Sequence, residues 1–226
     1  FAPVDIYPLQ EQARRGELGM DKPAYREQLA GLMSRFAEVA ARNPYAMFEA
    51  PTTLEAIRDE SQKNRMISDP HLKSMVAKDG VNQAAALVMT RYETAASLGV
   101  ADRAIFLHGH ATGSEPAVLN RPSLAQAESM TAAYHGALRN AGIGAEQLGA
   151  MDLYSCFPIA VWCAMDALGI SLDDPRPLTL AGGLSFFGGP GSSYSTDGVA
   201  AVVDWLRAET GAGYGVRRAT RATHTA

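Results

Sequence analysis

Met151-Asp152-Leu153-Tyr154-Ser155-Cys156-Phe157-Pro158 and Ala181-Gly182-Gly183-Leu184-Ser185-Phe186-Phe187-Gly188-Gly189-Pro190-Gly191 are the stretches that decide how this chain folds. Each carries an apolar run into a sharp turn and on to a helix start. In α/β folds such turns at strand ends carry the chemistry. Where the two runs are neighbours in one sheet, their turns lie on one edge and build one pocket.

Working outward from these turns, short apolar runs alternate with helical patterns from Val81 onward. Strands are expected near 84–90, 104–108, 150–155 and 178–183. Helices are expected from the end of the first run to Ala101, over 123–142 with Ser123 as cap and Gly142 as stop, over 157–168 and over 193–208. Val199, Ala200, Val202, Val203 and Leu206 give the last helix a broad apolar face, which reads as an association surface if left uncovered. The alternation predicts an α/β fold, a mixed sheet covered by helices. Residues 1–80 read instead as a helical loop region. Asp21 caps a helix with Pro23 in its first turn, and Leu29, Leu32, Met33, Phe36, Val39 and Ala40 recur at helical spacing. Thr52 and Glu55 have the spacing of a capping box. The division expected is thus a helical loop region over 1–80 and an α/β domain over 81–226.

Composition sets limits on function. The chain has 226 residues, 47% of them hydrophobic, and a formal net charge of −4. That is ordinary for a folded protein with a sizeable core. The basic residues cluster only at Arg217, Arg218 and Arg221, so no nucleic-acid surface is expected. No apolar run approaches the roughly 20 residues that span a bilayer, and no membrane association is expected. Two cysteines, Cys156 and Cys163, are too few for a secreted disulfide scaffold, which makes a cytoplasmic location the expectation. The first residue is Phe1 rather than Met, so a fragment or a processed product is expected.

The candidate chemistry gathers at the two turns. Cys156 stands at a helix start, where oriented N–H groups favour a thiolate; the alternative is a lining or structural cysteine. Cys163, further along the same helix, reads as core. Gly188, Gly189 and Gly191 either let backbone amides approach a ligand or simply make a tight connection. Ser192, Ser193 and Ser195 read as helix caps. Phe186 and Phe187 are successive in an extended segment and cannot both face one side, so one of them is expected to line a ligand tunnel. His108 and His110 share a face but lack a third ligand at a typical spacing, and no metal site is assigned. No P-loop or dinucleotide fingerprint is present.

The order of these segments carries a resemblance: Asp79 to Ala86, the helix ending Ala141-Gly142-Ile143, Asp152 to Phe157, then Gly182-Gly183 leading to Gly188-Gly189-Pro190-Gly191. It is similar to the second half of the thiolase superfamily, in the acetyl-CoA acetyltransferase-like branch related to sterol-carrier-protein-fused thiolases, with residues 1–80 similar to that family's loop region. The resemblance implies acyl transfer in lipid metabolism on a coenzyme A thioester as substrate, with no bound cofactor. It also implies a homo-oligomer, or pairing with a thiolase N-terminal half that supplies the nucleophilic cysteine. Tyr154 stands where the family has an Asn or His at the oxyanion hole, and Gly189 stands where it has the His of Gly-His-Pro. The implied catalytic residues are Cys156 and Tyr154, and the implied substrate-binding residues are Ser155, Phe157, Ser185, Phe187, Gly188, Gly189 and Gly191. The alternative is a non-catalytic thiolase-like subunit that binds a thioester or a partner protein. The loss of an imidazole at 189 removes general-base chemistry worth roughly 10²- to 10⁴-fold in rate.

Overall fold

Helix α2 (Lys22–Ala40) begins where Asp21 predicts, its carboxylate accepting the Ala24 N–H at 2.8 Å with Pro23 in the first turn. Its apolar face, Tyr25, Leu29, Leu32, Met33, Phe36 and Ala40, is fully buried or nearly so, and forms one wall of the main core. Opposite lies α6 (Pro158–Leu168), whose residues are all buried except Asp166, as befits a helix that is apolar all round. Helix α1 (Pro3–Glu17) packs against α6, as does α5 (Glu128–Ala141), which ends at Gly142 in the left-handed conformation. The computed structural model describes residues 2–47, 52–208 and 213–217.

Helices cover two small two-stranded sheets, which is the α/β layering expected. Strands β1 (Met66–Ser68) and β2 (His71–Leu72) pair antiparallel beyond the short helix α3 (Leu54–Arg58). Thr53, not Thr52, caps α3, its hydroxyl accepting the Ala56 N–H. The site is built on the parallel pair β3 (Leu148–Asp152) and β4 (Tyr214–Arg217), in register from Ala150↔Gly215 to Asp152↔Arg217. Helix α7 (Tyr194–Ala208) lies across the pair. A Cβ on Gly215 would come within 2.7 Å of Val202 and one on Gly149 within 2.6 Å of Trp205, so both glycines permit that close approach. The apolar face of α7 is therefore half-buried against its own sheet.

Three strand expectations change in the structure. Residues 84–90 and 104–108 have no regular structure among the described residues, and Leu87, Val88, Met89, Ile105, Phe106 and Leu107 are exposed. They flank the short helix α4 (Tyr92–Ser97). A strand exists only when a neighbour takes its backbone groups, and among the described residues no strand pairs with either run. The segment 178–183 forms no strand, yet its entry does run beside β3: the Pro177 and Leu178 carbonyls accept the Met151 and Leu153 N–H groups at 3.0 and 2.9 Å. The helix expected over 123–142 starts five residues later, because Ser123 turns back to accept the Ala125 N–H rather than capping a helix. Arg218, Arg221 and the rest of the basic tail lie outside the described residues.

Candidate functional site

The two decisive turns meet. Ser155 Oγ accepts the Leu184 N–H at 3.1 Å, which ties the turn after β3 to the glycine-rich loop. A third segment is threaded between them. The Ala77 N–H donates to the Cys156 carbonyl, the Lys78 N–H to the Leu184 carbonyl, and the Gly189 N–H to the Lys78 carbonyl. Gln83 then donates through its amide to the Phe187 carbonyl at 2.7 Å. Burial and the neighbouring Lys73 pull the Lys78 ammonium down to about 8.

A buried acid holds the glycine loop to the sheet. Asp152 Oδ2, at the end of β3, accepts from the Thr179 hydroxyl and from the Leu180 and Ala181 N–H groups at 2.9 to 3.0 Å. Its counter-charge is Arg217 of β4, with Nε at 3.4 Å from Asp152 Oδ1 and the guanidinium donating to the Asp152 and Tyr194 carbonyls. The same guanidinium lies over the Tyr194 and Tyr154 rings at 4.9 and 5.9 Å. Tyr194 is fully buried and its hydroxyl accepts the Gly183 N–H; burial, then the nearby Asp152 charge, pushes its ionisation well above the usual range. Gly183 itself must be glycine. Its φ is +78°, and a Cβ there would lie 2.5 Å from the Phe36 ring and 2.7 Å from Ser155 Oγ.

The structure sorts the residues singled out from sequence. Tyr154 and Cys156 are half-buried at the junction, and Gly191 is exposed at its rim. Ser155, Ser185, Gly188 and Gly189 are buried; the Ser185 hydroxyl makes no hydrogen bond among the described residues. Phe187 joins Ala181, Leu184 and Tyr194 in a small apolar cluster under the junction, whereas Phe186 turns into the main core, so the two rings do point apart. Phe157 also belongs to the main core, stacked on Tyr7 at 4.5 Å between ring centres. At Gly189 a Cβ would meet Leu184 at 3.0 Å and Tyr194 at 3.3 Å, so the space an imidazole would need is already filled. The junction is packed rather than open. A cleft of about 680 Å³ lies elsewhere, between α5 and α6, lined by Thr131, His135, Arg139, Cys163 and Asp166 among others. No group of three or more His, Cys, Asp or Glu side chains among the described residues is placed to hold a metal. No helix among them is long and apolar enough to cross a membrane.

Sequence reading missed Asp152 and Arg217 as partners. The signal for Asp152 was present, since a lone acid inside an apolar strand needs a counter-charge or donors when buried. For Arg217 there was none, because its neighbours in sequence resemble a solvated tail.

No family model and no curated protein sequence matches the chain. Solved structures do. The chain is 41% identical to the monomeric SCP2-thiolase-like protein type 1 from Mycobacterium smegmatis, over 97% of its own length, with a TM-score of 0.91. It spans about half of that protein, 48% of its chain. It also shares its fold with the Ltp2-ChsH2(DUF35) aldolase, at 17% identity and a TM-score of 0.67, covering 91% of this chain and 56% of that one. With the turns, the glycine loop and the helix layers all in place, the chain belongs to the thiolase superfamily and is similar to its SCP2-thiolase-like members.

Proposed function

We propose that the chain handles acyl-coenzyme A thioesters as part of a thiolase-like acyltransferase, with the thioester meeting the edge formed by Tyr154–Phe157 and Ser185–Gly191. The observation that carries this reading is the direct tie between the two turns at Ser155 and Leu184, in a chain with 41% identity to an SCP2-thiolase-like protein. Tyr154 offers a hydroxyl at the rim and Cys156 a half-buried thiol. The nucleophile comes from Cys156 or from a thiolase N-terminal half that pairs with this chain, and Ser155, Phe157, Ser185, Phe187, Gly188, Gly189 and Gly191 shape or support the binding edge. On this reading the protein acts in the cytoplasm, alone or as a homo-oligomer, in lipid metabolism of the acetyl-CoA acetyltransferase type.

A second reading is a non-catalytic thiolase-like subunit that binds a thioester or a protein. The closed packing around Gly189 favours it, since no general base occupies that position. The two are separated by incubating the protein with a thiol-reactive acyl-CoA analogue and mapping the adduct by peptide mass. Docking at the edge is expected to concentrate the reagent at Cys156 over Cys163. Equal labelling of the two, or none, would sink the first reading.

A further inference from the structure

A fourth segment reaches the junction: the loop 43–47 after α2, fastened to the glycine-rich loop at both ends. The Asn43 side-chain amide donates to the Ala181 carbonyl at 2.9 Å, and the Met47 N–H donates to the Phe187 carbonyl at 2.7 Å. Between these ties, the Gln83 amide donates to the Tyr45 and Phe187 carbonyls, both at 2.7 Å. Within the loop, the Asn43 side-chain oxygen accepts the Tyr45 N–H and the Asn43 carbonyl accepts the Ala46 N–H, each at 3.0 Å. An asparagine turn of this kind fixes the loop's own shape as well as its place. Its side chains then divide. Ala46 packs against both the main core and the small cluster of Ala181, Leu184, Phe187 and Tyr194. Tyr45 and Met47, on either side of it, stay in water, 77% and 39% exposed. Val81 stands on the same rim, close enough that a Cβ on Gly188 would lie 2.9 Å from it. Single exposed apolar residues are ordinary. Here two are presented together by a backbone that five hydrogen bonds order, and ordering it gains nothing from their burial. They form an apolar lip beside the Ser185–Gly191 loop. The lip is small: an aromatic side chain offers on the order of 200 Å². Even with Met47 and Val81 it falls well short of the roughly 800 Å² per partner in a stable protein interface. Its size and its tie to the proposed thioester edge suit a single hydrocarbon chain, lying against a ring face and a pliable thioether.

We propose that Tyr45 and Met47 are specificity-determining residues, a lip beside the Ser185–Gly191 edge that receives the apolar chain of an acyl-coenzyme A thioester. The inference rests on the thioester reading and deepens it, by naming the residues that set how much is gained from a longer acyl chain.

The test is calorimetric titration with acetyl-coenzyme A and octanoyl-coenzyme A, which share a headgroup and differ only in chain length. Each buried methylene tightens binding by about fourfold, and the lip covers part of the longer chain. The wild type is therefore expected to bind the octanoyl thioester at least about tenfold more tightly than the acetyl one. Both side chains are in water, so the double variant Tyr45→Ser, Met47→Ser is expected to fold as the wild type does, checked by circular dichroism. Its Kd for acetyl-coenzyme A is expected to stay within about twofold of the wild type, while the gain from the longer chain falls below about threefold. Val88→Lys changes an apolar side chain that is 95% exposed and lies outside the loop and its ties, and is expected to keep the full gain. A double variant that keeps the tenfold gain overturns the proposal. So does a wild type that binds both thioesters equally, or a Val88→Lys variant that loses the gain as the double variant does. A wild type that binds neither thioester sinks the thioester reading itself, and the proposal with it.

Discussion

The turn after β3 and the stretch from Ala84 to Leu107 are similarly apolar in sequence and end in opposite situations. In the first, polar groups find partners that lie far along the chain: Leu178 for Leu153, Leu184 for Ser155, Arg217 for Asp152. In the second, Val88 is 95% exposed and Met89 80% exposed, and no strand among the described residues pairs with them. The difference teaches that an apolar run specifies burial but not what it is buried against. Where a β-ladder neighbour is within this chain, the run becomes a strand. Where no described strand pairs with it, the run stays uncovered, as at Val88 and Met89.

The most severe way to break the comparison is at its tight end. Arg217→Ala leaves Asp152 buried without its counter-charge, and the expected loss is about 3 to 5 kcal/mol in urea denaturation. A loss under about 1 kcal/mol would mean that β4 is not part of the folded site. A smaller effect, about 1 to 3 kcal/mol, is expected for Gly183→Ala, where a side chain meets both positive φ and the Phe36 ring. If that variant is as stable as the wild type, the two turns do not approach as closely as Ser155 and Leu184 indicate. The smallest effect belongs to the loose end. Val88→Lys is expected to change stability by no more than about 0.5 kcal/mol, because the side chain touches solvent. A large loss there would show that the stretch is covered in solution, and light scattering of the wild type and the variant would then tell whether a second copy covers it.

Much of the helical framework was legible in the chain. Asp21 and Pro23 marked the start of α2, Gly142 the end of α5, and the 3.6-residue recurrence from Leu29 to Ala40 named the buried face. The meeting of the two turns was also legible, because strand-end turns followed by helix starts have few other arrangements in an α/β layer. Strand number was not. The runs at 84–90 and 104–108 have the composition of strands, and composition carries no information about whether a neighbouring strand is supplied.

Local patterns by themselves determined where α2 starts, which face it buries and where α5 stops. These depend on spacing along the chain, and spacing is written in the sequence. Only the tertiary structure decided that Arg217 pairs with Asp152 and that Glu11 of α1 accepts the Ile159 N–H in the first turn of α6. It also decided that Leu184 and Tyr194 close the space at Gly189. These are pairings across 65 to 148 positions, or contacts set by how whole elements stack. Coulombic attraction and close packing act through space, and residues brought together by folding leave no periodic trace in the order of the amino acids.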